Sequence, residues 1–174
     1  MKNTKKITLC AMLAAFSVVL LAIGALFQML DLSMAVIASL PVLFAHLELR
    51  RPYPWLLFIV TSVLSLLLVT PKTAPLLYAV FFGFYPILKT GLEALPRAIE
   101  WIFKLLLCQG AFWIYFLLSA YVFMFPEALM PSEWLFWAVY ALVLLAFVLY
   151  DFAVSRIISF YAFRLRPRLT KFLK

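Results

Sequence analysis

The chain has little glycine, little charge, few cysteines and a single histidine, and each shortage closes off a class of chemistry. Its 174 residues include 4 Gly, 2 Cys, 1 His and 7 acidic side chains. There is no GxGxxG, no P-loop and no GxSxG, so the phosphate cradles and nucleophile elbows those motifs build are missing. His46 belongs to no HExxH pattern, and most acidic residues sit near the ends of apolar runs instead of pairing within them. No catalytic residue, metal site or cofactor is expected. Cys10 and Cys108 each lie in or beside an apolar run, where a free thiol behaves as a small hydrophobe.

What the chain has in abundance is apolar sequence, at 68% of residues. The charges fall in clusters between long apolar runs, and every second cluster is basic. Cytoplasmic loops carry the excess of Lys and Arg. Lys2, Lys5 and Lys6 are therefore inside, and the turn at Asp31 is outside. Arg50 and Arg51 are inside again, Lys72 is outside, and Lys89, Arg97 and Lys104 are inside. Glu127 and Glu133 are outside, and the stretch from Arg156 to Lys174 is inside. Unbroken alternation predicts an all-α integral membrane protein with six transmembrane helices and both termini in the cytoplasm. A β-barrel would need short alternating segments, and the run from Trp134 to Tyr150 is apolar on all sides.

No stretch is long or polar enough for a soluble domain, so residues 1–174 are read as a single six-helix transmembrane domain. The spans are expected at about 7–28, 33–48, 54–70, 75–89, 105–125 and 133–155, with a basic tail over 156–174. The first run is too long for a signal-peptide core and reads as a retained span. Between the fourth and fifth spans, residues 89–104 are amphipathic and are expected to lie along the inner interface. The formal charge of +8 follows from the inside bias and calls for no nucleic acid partner. Arg164, Arg166, Arg168, Lys171 and Lys174 suit anionic lipid headgroups of the bilayer.

The outer turns hold most of the outward polar chemistry. Asp31 lies in the first turn, Lys72 and Thr73 in the second, and Glu127, Ser132 and Glu133 in the third. Lys72 opposes the charge bias. It can serve an anionic ligand, pair with Asp31, or meet only lipid phosphate. The aromatics Tyr78, Phe81, Phe82 and Tyr85 on span 4, with Trp113, Tyr115 and Tyr121 on span 5, can either wall a pocket for a flat ring or pack the bundle. Asp151, late in span 6, reads either as a proton-path residue or as a snorkelling partner of Arg156. No broken helix or inverted repeat of the kind used by secondary transporters is legible. On span 1, Ala11, Ala15, Val18 and Ala22 share one face, which lets another helix approach closely.

A basic start at Lys5-Lys6 leading into Ile7 to Ala15, a first outer turn ending Leu30-Asp31-Leu32-Ser33, and a second span reading Ala38-Ser39-Leu40-Pro41 carry a family likeness. With the chain length and layout, these resemble the substrate-binding S components of energy-coupling factor (ECF) transporters. The resemblance implies a protein of the bacterial cytoplasmic membrane that binds a small vitamin-like nutrient on its outer side. It implies docking through an Ala-x-x-x-Ala face onto a transmembrane T subunit driven by two cytoplasmic ATPases. Carried over by position, Ala11 and Ala15 become the docking face. Asp31, Lys72, Tyr78, Tyr85, Trp113 and Tyr121 become the substrate-binding set. No signature names the vitamin. The rival readings are a non-catalytic assembly or scaffold protein whose basic cytoplasmic tail recruits a partner, and an intramembrane enzyme dependent on Asp151.

Overall fold

The structure is a computed structural model, and it describes residues 3–27, 30–49, 52–93, 96–119 and 133–161. Among the described residues there is no strand, and five helices are long and apolar enough to cross a bilayer, with a sixth, shorter one. The chain is an all-α, multi-span membrane protein. Its elements are α1 (Asn3–Leu26), α2 (Asp31–Glu48), α3 (Tyr53–Leu68), α4 (Thr73–Leu77), α5 (Tyr85–Leu92), α6 (Arg97–Leu117) and α7 (Glu133–Phe160). They fall into two compact units, Met1–Leu129 and Met130–Lys174, which are described separately.

In the first unit, α1 lies against α2 and α3, and α2 also touches α4 and α5. The inner stripe of α1 is Ala14, Ser17, Leu21 and Ala25, all buried, at steps of three and four residues. Small side chains let α2 come close. The Ser17 hydroxyl donates to the Ala38 carbonyl at 3.1 Å. A Cβ on Gly24 would stand 2.7 Å from Cβ of Met34, so the two helices meet there through glycine alone. The helix α2 runs through Pro41 and buries Ala35, Ala38, Val42 and Ala45.

At 16 residues, α3 is the short helix. It rises about 24 Å, less than the roughly 30 Å hydrocarbon core. Pro52 and Pro54 open it, and Val69 leaves it in extended conformation at φ −93° and ψ 134°, earlier than the expected boundary at 70. At the inner end the Lys6 ammonium lies 5.6 Å from the Tyr53 ring centroid, tying the start of α1 to the start of α3.

The fourth span departs from the reading of one plain helix over 75–89. It runs from Thr73 to Leu92 and is interrupted: α4 passes into a π-helical turn at Tyr78–Phe82, and α5 starts at Tyr85. Pro86 stands in the first turn of α5, where its missing N–H removes the bond that would have continued the helix. The slack is taken up by Gly83, whose N–H donates to the Tyr78 carbonyl at 2.7 Å. Such π-helical turns cluster at functional sites.

Residues 97–104 are not a separate interfacial segment. They form the first turns of α6, which continues unbroken to Leu117. Lys104 is buried and bridges to Glu100 at 2.6 Å, so an i,i+4 pair carries the charge into the span. Lys89 on α5 is likewise buried and bridges to Glu93 at 3.5 Å. The expected fifth span, 105–125, therefore begins about two turns early, and its last residues lie outside those described, as do the third outer turn and the tail beyond 161. In the second unit, α7 covers the sixth span and continues past its expected end at 155.

Candidate functional site at the outer ends of the helices

Two helix N-termini supply the outer polar chemistry. Asp31 opens α2, where a carboxylate is favoured by the unpaired N–H groups of the first turn. Thr73 opens α4, directly after Lys72. The structure joins them: the Thr73 hydroxyl donates to Asp31 Oδ2. The second oxygen, Oδ1, is shielded from solvent and has no hydrogen-bond partner among the described residues. A half-satisfied carboxylate at a helix N-terminus can accept one more donor from a ligand or a water.

Lys72 does not pair with Asp31. Its ammonium donates to the Val69 carbonyl at 2.6 Å, closing the turn between α3 and α4 on itself. Beside that turn, an apolar groove of about 370 Å³ runs between α1 and α3, with Val18, Ala22 and Leu26 on one wall and Leu68, Val69 and Thr70 on the other.

The predicted aromatics divide. Tyr78 and Tyr85 are fully buried in the first unit's core. Tyr85 stacks at 5.0 Å on Phe81, and Tyr78 stands 6.2 Å from Phe58. Lys89 reaches to 6.0 Å from the Tyr85 ring. These rings fill the helix interface around the π-helical turn and do not wall the outer groove. Trp113 is exposed on α6, edge-on to Phe112 and Phe116 at 6.2 Å each. Tyr121 lies outside the described residues. Ala11 and Ala15 are both exposed, on the face of α1 that they share with Val18 and Ala22, beside its packed stripe.

Two polar features were not singled out from the sequence as site residues. Thr73 was one polar residue in a polar turn, and only the fold puts its hydroxyl on Asp31. On α3, Thr61, Ser62 and Ser65 are buried at steps that keep them near one face, a pattern visible in the sequence as hydroxyls in an otherwise apolar run. At the inner end, the Thr90 hydroxyl lies 3.0 Å from the Ile87 carbonyl and shares a hydrogen bond of 2.7 Å with His46 Nε2. His46 thus joins α2 to α5. In α7, Asp151 is buried, its carbonyl accepts from Ser155 at 3.0 Å, and no ion pair joins its carboxylate to exposed Arg156 among the described residues. Among the described residues no cluster of three or more His, Cys, Asp or Glu is placed to hold a metal.

No protein-family model matches the chain, and no curated protein or solved structure does either.

Proposed function

We propose that the chain is the substrate-binding S component of an ECF-type transporter in the bacterial cytoplasmic membrane. It binds a small vitamin-like nutrient at the outer mouth and docks onto a T subunit energised by two ATPases. The observation that carries this reading is the two-sidedness of α1. One stripe, Ala14, Ser17, Leu21 and Ala25, is buried inside the protein, while Ala11 and Ala15 stay bare on the adjoining face. Alanines facing lipid add nothing to packing within the chain, but they let a partner helix approach closely.

The outer mouth supports the ligand half of the reading. Asp31 keeps an oxygen with no partner among the described residues, next to the hydroxyl of Thr73 and at the N-terminus of α2. That arrangement suits a neutral or cationic hydrogen-bond donor on the nutrient. The interrupted fourth span, which begins at this mouth, gives a segment whose helical register can shift when the ligand is bound or released.

The test is uptake. The chain is expressed with a T subunit and ATPase pair in cells lacking their own S components, and ATP-dependent accumulation of water-soluble vitamins is followed. Mass spectrometry of the purified protein's extract identifies any ligand it retains. Accumulation of one vitamin, lost without the chain, is the expected result. A well-folded protein that holds no ligand and supports no uptake would shift the reading to an assembly protein.

A further inference from the structure

The outer groove between α1 and α3 has a chemistry that the transport reading does not use. Its walls are apolar and bare, with Leu26 77% and Leu68 70% exposed. Such surface on membrane-spanning helices meets hydrocarbon, not water. On the α1 wall, Ala22 with its small side chain lies between the larger Val18 and Leu26. From Leu26 to Val18 it follows α1 for about 12 Å, the outer part of one leaflet.

At its outer end the groove changes character. Thr70 belongs to its lining, and the Lys72 ammonium is anchored on the carbonyl of Val69, another lining residue, at 2.6 Å. An ammonium has three N–H donors, and this bond uses one. The nearest outer carboxylate in sequence order, Asp31, is committed to Thr73. Lys72 is also the lone basic residue that the charge pattern puts outside. A cation anchored on a carbonyl of the groove's lining, on the side the charge pattern puts outside, matches a phosphate joined to an acyl chain.

We propose that this groove is a phospholipid site, with one acyl chain of an outer-leaflet lipid along α1 and its phosphate on Lys72. The inference does not depend on the transport reading. The chain continues inward past Val18 as ordinary bilayer, and the lipid covers the flank of α1 next to Ala11 and Ala15.

The test is native mass spectrometry of the full chain in mild detergent with added phosphatidylglycerol. Diacylglycerol of the same chains serves as the phosphate-free control. The wild type is expected to keep one phosphatidylglycerol after washing. Lys72→Gln weakens that binding about fivefold, the scale of one lysine at a headgroup. Ala22→Phe fills the slot and abolishes the binding. Diacylglycerol binds the wild type no better than phosphatidylglycerol binds Lys72→Gln. Circular dichroism establishes that each variant is folded, and should Ala22→Phe fail to fold, Lys72→Gln and diacylglycerol carry the test. Equal lipid retention by wild type and Lys72→Gln, or none by either, overturns the proposal, since only unspecific annular lipid would then be present.

Discussion

Thr73, at the start of α4, donates its hydroxyl to Oδ2 of Asp31, at the start of α2. The two residues are 42 positions apart in sequence. Their bond ties the outer ends of α2 and the fourth span, whose segments also pack against α2. It also aims Asp31 so that Oδ1 stays shielded with no hydrogen-bond partner among the described residues.

Thr73→Val keeps the shape of the side chain and removes the donor. It is expected to cost about 1–3 kcal/mol, the penalty for leaving a partly shielded carboxylate without its bond. Asp31→Asn is expected to cost less, because an amide oxygen still accepts from Thr73. Thermal unfolding in detergent of both variants checks the order. Equal stability of Thr73→Val and wild type would show that the bond does not hold the helices.

Two glycines with opposite surroundings make a paired prediction. A Cβ on Gly24 meets Cβ of Met34 at 2.7 Å, an atom that cannot swing away, so Gly24→Ala must separate α1 from α2. The expected loss is about 1–3 kcal/mol. Gly110 on α6 has nothing within 4 Å of the new Cβ. Gly110→Ala is expected to gain about 0.5–1 kcal/mol from helix propensity alone. Melting curves of the two variants should move in opposite directions.

At the π-helical turn, a Cβ on Gly83 would lie 2.5 Å from Cδ2 of Phe58 and 2.9 Å from Cε1 of Tyr78. Gly83→Ala is therefore expected to destabilise by about 1–3 kcal/mol through overpacking. Removing the obstructing ring should relieve part of that. In a double-mutant cycle, Gly83→Ala with Phe58→Ala is expected to cost less than the sum of the single changes, with a coupling of at least about 0.5 kcal/mol. Strict additivity would mean the backbone shifts and Phe58 is not the constraint.

The helical membrane architecture was legible because bilayer thickness and the inside bias of Lys and Arg leave strong marks in composition. Five of the six expected spans contain a long apolar helix, and the boundary errors have local causes. Pro86 interrupts the fourth span because a proline in the first turn of α5 cannot donate backward, and Gly83 absorbs the break by bonding to Tyr78. Periodicity gives no hint of that exchange. The amphipathic stretch before the fifth span reads as interfacial from its charge pattern, whereas its residues from Arg97 onward belong to a helix that continues to Leu117. The i,i+4 spacing of Glu100 and Lys104 gives their ion pair, but not the burial of Lys104, and a paired charge can start a span that a lone charge would end. The outer mouth was half legible. Its polar residues were visible, but the choice of Thr73 over Lys72 as the partner of Asp31 depends on which way each side chain leaves the turn. For Tyr78 and Tyr85 the sequence leaves pocket wall and bundle packing both open, and the structure buries both rings fully in the helix interface.

The central claim is that α1 has one face for the protein and one for a partner. Ala14 is 3% exposed, whereas Ala15, its neighbour in sequence, is exposed. Ala14→Trp is expected to unfold the protein in detergent. The Ala11→Trp/Ala15→Trp variant is expected to fold and melt like the wild type. The measurement is co-purification of each tagged chain with a co-expressed T subunit and ATPase pair. The account predicts a stoichiometric complex with the wild type and its loss from the folded double variant. A complex that survives both tryptophans, or a double variant that no longer folds, would contradict it.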